Sequence, residues 1–493
     1  MTAVSAALLL LFATGAELSR SGEEAEPAPR LLRRAAVHVH SSYSNGELTV
    51  LEIARLAAED GVDVIVLTDS LLTRATFGLW PLDRAGVPGL NRLSRPGVLD
   101  RGLHRYLDDV SEARRRFPDV LIVPGVEVAP HYYWTGRPWD DLALRAFDRH
   151  LWVVGLSARD TANLPVVGNE TLANTRTTWR RLWLPLLAGV AALGLLAARR
   201  RSSDRRLFVV ARWGAWILLG VAAVTTWNNW PFGDLSRPDL GRDDVSAYQR
   251  LIDYVGAREG VAYWSYPEAS YPDVWVRGAR MVSAPHPEDL SRTDGYHGME
   301  GLYGDDVRAT EPGGIWDRIL VEYLRGERRR APFVVTGIDF HGPESETDPW
   351  SRLDAGTTFL LVADDTERGV VEALRDGHAY ATFMGMPQRF ELDLFEVETA
   401  DGRVGTHGDR IRGSSPLVAR FAIDWEGERP DPDPVFDVEL IVDGRVAERL
   451  SGSLPLAAAV ELDPGLGGHY VRLQAQAGRR NRLLTNPVFV DVR

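Results

Sequence analysis

Two histidines, His38 and His40, stand at the end of a short apolar run near the start of the chain. Successive side chains of a strand point to opposite faces, so residues at positions i and i+2 share a face. Two imidazoles on one face at the end of a strand can bind a single metal ion. A lone His-x-His pair is often incidental, so the hypothesis of a metal site requires further ligands.

Other apolar runs also end in residues that bind metals. Three of them end in Asp69, in Glu127 and in Asp339, and His341 lies two residues beyond the last. A single carboxylate after a strand is often a helix cap or a turn residue. Four strand ends with carboxylates or imidazoles nevertheless favour a metal site, because borderline divalent ions bind this mixture of oxygen and nitrogen. α/β barrels collect such residues at one rim.

The ordered set of motifs resembles the PHP (polymerase and histidinol phosphatase) family of metal-dependent phosphoesterases. The resemblance spans roughly residues 34 to 385 with one interruption, and it implies an α/β fold, a PHP-type distorted (β/α)7 barrel. The matching segments are His38-Val39-His40-Ser41, Ser44-Asn45-Gly46, Gly61 to Asp69, Pro124-Gly125-Val126-Glu127, His150 and Asp339-Phe340-His341-Gly342.

The resemblance also assigns roles to these residues. It implies that Glu127 bridges a first metal ion to a second one at His150, and that His341 serves a third. The other ligands of the first ion would be His38, His40 and Asp339. The candidate metal ligands are therefore His38, His40, Asp69, Glu127, His150, Asp339 and His341, and the catalytic candidates are Glu127, Asp339 and His341.

Three positions depart from the family pattern. Asn45 stands where the family has aspartate, and Ser70 and Tyr266 stand where it has histidine. Neutral tyrosine and serine must lose a proton of high pKa before they bind a metal strongly. The sequence therefore predicts one tightly bound divalent ion, a weaker second ion and no stable third. Zinc, manganese and iron all fit these ligands.

The implied function is hydrolysis of a small-molecule ester, with a phosphate ester as the expected substrate and a metal-activated water as nucleophile. Two alternatives stay open. The altered positions are compatible with a degenerate PHP domain that binds a metal or a ligand without catalysis. The same chemistry also attacks carbonyl groups, so a hydrolase of non-phosphate esters or amides is the other alternative.

Composition narrows the class of protein further. The chain has 493 residues, 45% of them apolar, which is enough for two or more domains with ordinary cores. It contains no cysteine, so thiolate nucleophiles, disulfides and Cys-zinc sites are excluded. The net charge of -13 argues against a nucleic-acid partner.

Two strongly apolar segments, at 182–198 and 207–226, interrupt the predicted barrel, and five arginines lie between them. They predict a transmembrane helical hairpin that makes the lipid bilayer a partner. Arginine-rich loops favour the cytoplasmic side, so the catalytic region is expected on the extracytoplasmic side. Two buried helices in a soluble core are the alternative.

The sequence thus divides into six predicted regions. The last of them is rich in short alternating runs separated by turn residues, which predicts a C-terminal all-β sandwich. The regions are a signal peptide or short anchor at 1–18, a linker at 19–33, the first part of the barrel at 34–178, the hairpin at 179–230, the second part of the barrel at 231–387, and the sandwich at 388–493.

Overall fold

The computed structural model describes residues 30–77, 92–137, 140–169, 179–201, 205–229, 245–270, 272–276, 278–304, 307–343, 352–384, 388–479 and 481–493. The predicted signal peptide or anchor, and residues 19–29 of the predicted linker, lie outside this part of the chain. The linker was expected to extend to residue 33, but the first strand already begins at Leu31, because Leu31 and Leu32 pair with Val362 and Leu361 of a later strand.

The first part of the α/β region alternates strands and helices. Its elements are β1 (Leu31–Val39), α1 (Val50–Asp60), β2 (Val64–Leu67), β3 (Thr73–Thr76), β4 (Arg92–Arg95), α2 (Val98–Arg101), α3 (Leu103–Arg116), β5 (Leu121–Val123), β6 (Gly125–Val128), β7 (Tyr133–Thr135), β8 (Ala143–Arg145), β9 (Leu151–Val154) and α4 (Ala158–Ala162).

Two long helices and the second part of the α/β region follow. These elements are α5 (Trp179–Arg201), α6 (Arg205–Asn229), α7 (Ser246–Gly256), β10 (Val261–Trp264), β11 (Val274–Val276), β12 (Ala279–Val282), α8 (Glu288–Arg292), β13 (Gly298–Leu302), α9 (Ile315–Leu324), β14 (Phe333–Thr336), β15 (Gly356–Val362), α10 (Glu367–Asp376) and β16 (Ala379–Phe383).

The described C-terminal residues form strands only. These are β17 (Arg389–Thr399), β18 (Val404–Gly405), β19 (Arg410–Gly413), β20 (Leu417–Glu426), β21 (Phe436–Val442), β22 (Arg445–Gly452), β23 (Leu456–Leu462), β24 (Gly467–Ala477), β25 (Asn481–Thr485) and β26 (Val488–Val492).

Two sheets carry the strand ends that the sequence singles out. One contains the order β15-β1-β2-β5, and the other has the order β14-β13-β10-β9-β6. Isolated bridges link the two sheets, from Val39 at the end of β1 to Phe340 and from Ser70 to Glu127 of β6. Parallel pairs such as β1 with β2 occur beside antiparallel ones such as β9 with β10. The predicted α/β class is confirmed, while closure into a seven-stranded barrel stays a prediction.

Helix α1 shows how the local sequence sets these elements. Thr49 accepts a hydrogen bond from the backbone N–H of Glu52, whose side chain returns to the backbone of Thr49, so the helix begins with a capping box. Gly61 ends it in the left-handed conformation at φ 69°. The buried face is Val50, Ile53, Ala54 and Ala57, which recur at helical spacing and pack under the sheet. The strand β2 can therefore start three residues after the cap.

The C-terminal strands are not separated from the α/β sheet. Strand β16 pairs with β25, which makes β25, β24, β26 and β19 continuous with β15 and β1. The side chain of Asn486 also accepts a hydrogen bond from the backbone N–H of Val334 at 2.7 Å and donates to the Val334 carbonyl at 3.2 Å. A second sheet, β18-β17-β20-β23, shares an apolar core with these strands. An all-β C-terminal region is therefore present, but its sheet does not stop at residue 388.

Helices α5 and α6 pack against each other and contain two segments, Leu182–Arg200 and Phe208–Trp227, that are long and apolar enough to cross a membrane. Four of their alanines are buried: Ala188, Ala192, Ala211 and Ala215 are at most 5% exposed. Their large apolar residues point outward. The exposed fractions are 64% for Leu193, 63% for Trp213, 60% for Trp216 and 65% for Ile217.

Candidate metal centre

His38 and His40 meet at the end of β1, as the sequence predicts, but the strand is not regular there. His38 has a φ of 71°, in the left-handed region that few non-glycine residues adopt, and the pairing with β2 slips between Val37 and Val39. The two imidazoles nevertheless face each other, with their Nε2 atoms 3.1 Å apart. Such backbone strain concentrates at functional sites. A bulge at His38, rather than simple strand alternation, therefore accompanies the meeting of the two rings.

The buried carboxylate of Glu300 contacts the Nδ1 side of the His38 ring. Nδ1 of His38 lies 2.6 Å from Oε1 of Glu300, which also accepts a hydrogen bond from Nε1 of Trp152 at 2.9 Å. The other oxygen accepts one from the backbone N–H of Tyr266 at 3.2 Å. Glycine is required at 337, because a Cβ there would lie 2.3 Å from Cδ of Glu300. With its Nδ1 engaged, His38 presents Nε2 to the centre.

The ring of His40 is also held by a neighbouring side chain. Its Nδ1 lies 3.1 Å from Oγ of Ser44, and this hydroxyl donates to Oδ1 of Asp69 at 2.7 Å. The same carboxylate accepts hydrogen bonds from the backbone N–H of Ser41 at 2.8 Å and from its hydroxyl at 2.7 Å. Both oxygens of Asp69 are thus occupied by the loop after His40. Asp69 therefore supports His40 through Ser44, and its predicted role as a metal ligand stays a prediction.

Four side chains converge at one point. Nε2 of His38 lies 3.2 Å from Oε1 of Glu127 and 3.4 Å from Oδ1 of Asp339, and Nε2 of His40 lies 3.2 Å from the same Asp339 oxygen. Oε2 of Glu127 is 3.8 Å from Nε2 of His40. Four ligands bonded tetrahedrally to zinc at 2.0–2.1 Å lie about 3.3 Å from one another. The spacing of His38, His40 and Glu127 is therefore suitable for one divalent ion, and Asp339 lies beside both histidines.

The electrostatics of the cluster agree with its use as a ligand set. Although burial disfavours the imidazolium, the carboxylates of Glu300, Glu127 and Asp339 raise the pKa of His38 well above its ordinary value. Burial opposes ionisation of Glu127 as well, but His150 and His38 hold its pKa well below the usual range. A divalent cation would take the place of the proton in this set.

His150 stands next to Glu127 at the predicted second site. Its Nδ1 lies 3.1 Å from Oε1 of Glu127, and its Nε2 lies 3.0 Å from the carbonyl oxygen of Phe147. The nearby Glu127 raises the pKa of His150 to about 9, against the effect of burial. Tyr266 has a φ of 42° and stacks on the ring of His38 with centroids 5.2 Å apart. The aromatic ring of Tyr266 therefore occupies the space beside His38.

The outer side of the cluster contains His341. Its ring stacks on His40 with centroids 4.6 Å apart, and it belongs with His40 and Asp339 to a second group whose ligand atoms lie within 4.8 Å of one another. Nδ1 of His341 donates to the carbonyl oxygen of Asp339 at 2.7 Å, and Nε2 lies 2.6 Å from Nδ2 of Asn45. Burial lowers the pKa of His341. Asn45 thus engages the nitrogen that a third metal ion would require.

Glu300 is the main residue that sequence reasoning missed. It lies in the centre of β13, whose five residues are all buried. A carboxylate inside a short buried strand is uncommon without a partner. The position of Glu300 in such a strand was therefore the signal that could have identified it. Its partner His38 is 262 residues away along the chain, so the pair could not be assigned from spacing.

Comparisons with known proteins give only distant structural matches. No family model matches the chain, and no curated protein matches it. A two-domain protein from Bacteroides vulgatus containing a predicted PHP-like metal-dependent phosphoesterase is 12% identical, with a TM-score of 0.33 over 94% of this chain and 97% of that chain. A putative metal-dependent phosphoesterase from Bifidobacterium adolescentis is 15% identical, with a TM-score of 0.30 over 69% and 96%. An amidohydrolase from Chromobacterium violaceum is 15% identical, with a TM-score of 0.27 over 65% and 96%.

Proposed function

We propose that this protein is a metal-dependent hydrolase of the PHP type that cleaves phosphate esters. One observation carries the proposal: the Nε2 atoms of His38 and His40 lie 3.1 Å apart, and each lies 3.2 to 3.8 Å from a carboxylate oxygen of Glu127 and of Asp339. A divalent ion bound there would supply a Lewis acid that lowers the pKa of water to about 7. Zinc, manganese and iron all suit this donor set.

The protein's own residues would orient and neutralise the reacting groups. Glu300 and Ser44 contact the Nδ1 atoms of the two imidazoles, which would orient their Nε2 atoms toward a metal ion. Glu127 faces both His38 and His150, which supports the bridging role that the resemblance implies. Arg95 is the arginine among the described residues that line the cleft in front of this cluster, and its guanidinium would pair with a phosphate.

A second candidate function is metal or ligand binding without catalysis. Two contacts favour it: Tyr266 stacks on His38 where the family has a histidine, and the amide of Asn45 occupies Nε2 of His341. Both contacts weaken the sites beyond the first ion. A protein with a single metal ion would still bind an anion, because the ion and Arg95 both face the cleft.

The decisive experiment combines metal analysis with an ester panel. The full chain would be purified in lipid nanodiscs, its metals measured by elemental analysis, and its activity measured on a phosphate monoester, a phosphate diester and a carboxylic ester of 4-nitrophenol. We expect bound metal and turnover of a phosphate ester that Glu127→Gln abolishes. Metal without any turnover would support the binding protein, and turnover of the carboxylic ester alone would support carbonyl chemistry.

We further propose that α5 and α6 anchor the protein in a membrane with the α/β region on the extracytoplasmic side. In water, exposed Leu, Ile and Trp side chains would be unfavourable, whereas contact through alanines suits helices packed in lipid. Arginines lie at both ends of the connection between the helices, and they favour a cytoplasmic location for this connection. A reporter inserted after Arg201 should be cytoplasmic and one after Arg493 should not; both reporters on one side would contradict the hairpin.

A further inference from the structure

The candidate metal ligands His40, Glu127, His150, Asp339 and His341 line a cleft of about 400 Å³. The lining also includes the apolar residues Phe147, Val274 and Met281. A cavity of this size accepts a small organic ligand, and it is larger than a phosphate group requires.

Strand pairing places two of these apolar residues side by side. Val274 of β11 is the direct partner of Met281 of β12 in an antiparallel ladder. Directly opposed residues project from the same face of a sheet, so their side chains form a continuous apolar strip. Val274 is 46% exposed, so this part of the strip is accessible, whereas Met281 is partly buried.

Phe147 joins this strip to the metal centre. Met281 packs against the small apolar cluster that contains Phe147, Tyr132 and Leu144. The carbonyl oxygen of Phe147 lies 3.0 Å from Nε2 of His150, whose Nδ1 faces Glu127. The backbone that carries the apolar ring is therefore fixed to a candidate metal ligand, and the strip begins next to the reacting groups.

We infer that this strip, defined by Phe147, Val274 and Met281, binds the apolar part of an amphiphilic phosphate ester whose phosphate lies at the metal centre. The inference rests on the proposed function and specifies its substrate class. An alkyl or acyl chain would cover the exposed face of Val274 and Met281, and burial of apolar surface is favourable. The chain could belong to a soluble amphiphile or to a lipid of the bilayer.

The test measures binding, so it does not depend on turnover. The metal-loaded full chain in nanodiscs would be titrated with ethyl phosphate and with octyl phosphate below its micellar concentration. We expect octyl phosphate to bind at least about tenfold more tightly, because each buried methylene adds affinity. In Met281→Ser and in Val274→Ser, the ratio of the affinity for octyl phosphate to the affinity for ethyl phosphate should fall several-fold.

The matched control is Val404→Ser, since Val404 is also 46% exposed but lies on β18, away from the cleft. Octyl phosphate partitions into the nanodisc equally with this variant. Its ratio of affinities for octyl phosphate and ethyl phosphate should therefore equal that of the unmodified protein. Equal binding of the two phosphates, or an equal fall in all three variants, would overturn the inference. Selective binding of octyl phosphate without hydrolysis of any ester would instead contradict the proposed function and leave the binding site intact.

A further arm separates the two sources of the ligand. The titration would be repeated in nanodiscs with a minor fraction of long-chain phosphatidic acid, and in nanodiscs with the same fraction of phosphatidylglycerol. Weaker apparent binding of octyl phosphate with phosphatidic acid alone would show that a bilayer lipid reaches the strip. Equal binding in the two would assign the strip to a soluble amphiphile.

Discussion

The two ends of the cluster of candidate metal ligands differ in burial and in the hydrogen bonds that hold the side chains. At the inner end, His38 and Glu300 are at most 1% exposed, and Glu300 accepts three hydrogen-bond contacts. At the outer end, Asp339 is 36% exposed, and His341 is held by Asn45 and a backbone carbonyl. Ligands fixed by buried partners bind a metal with less reorganisation than ligands that must first change partners. The comparison predicts tight binding at the inner end and weak binding at the outer end.

The strongest test of this difference is a pair of alanine substitutions. His38→Ala should remove most of the bound metal, since it deletes an inner ligand and leaves Glu300 buried without its imidazole. His341→Ala is the matched control at the outer end and should leave most of the metal in place. Elemental analysis of both proteins gives the stoichiometry directly. Equal losses would show that the two ends are not different.

The residue behind the inner ligand provides a second test. Glu300→Gln keeps the shape but removes the charge that faces Nδ1 of His38. Loss of such a partner typically lowers metal affinity by about 10- to 100-fold. Competition with a chelator would measure the affinity, and the melting temperature of the metal-free protein would reveal any general loss of folding. Unchanged affinity in a folded variant would remove Glu300 from the site.

The pH dependence of metal binding gives a third test, at the second site. In the metal-free protein the pKa of His150 is about 9, so its imidazole is protonated at pH 7. A metal must displace this proton, and apparent affinity should therefore rise by up to about tenfold per pH unit and level off above about pH 9. Proton release measured on metal addition at two pH values would check this. Affinity that is flat between pH 7 and 9 would contradict it.

The smallest expected effect concerns Tyr266. Tyr266→His should tighten the weaker ion by several-fold, because imidazole is a neutral ligand at pH 7 whereas tyrosine must lose a proton. Chelator competition on the second ion is the measurement, with Tyr303→His, at a neighbouring ring, as control. If Tyr266→His leaves the affinity unchanged, or if the unmodified protein binds three ions firmly, the substituted positions do not limit metal binding.

The sequence was informative where residue type alone determines chemistry. His38, His40, Glu127 and Asp339 could be selected because metal ligands are few in kind and follow β-prone runs, and the structure brings these four together. The α/β class was implied by the resemblance of the motifs, and the two apolar helices were predicted from the length and composition of their segments. Each of these inferences depends on residues close together in the sequence or on side-chain chemistry.

The features that could not be predicted depend on contacts between distant segments. Asp69 has the residue type of a metal ligand, and only the fold shows that Ser41 and Ser44 occupy its oxygens. The pairing of β16 with β25 is another case, since alternating strands with turns look the same whether they form a separate domain or extend an existing sheet. Periodicity defines a strand but not its neighbour.

The pairing of β1 with β15 has a consequence for biogenesis. Arg33 on β1 and its partner Asp365 are 332 residues apart, and the apolar hairpin is synthesised between them. The first strand must therefore remain without this neighbour until most of the chain has left the ribosome, because contacts between distant segments close late. Asp339 also emerges long after His38 and His40. The four candidate ligands of the first ion are therefore complete only after the hairpin has been made, and a chain arrested before β14 would contain three of them and lack Asp339.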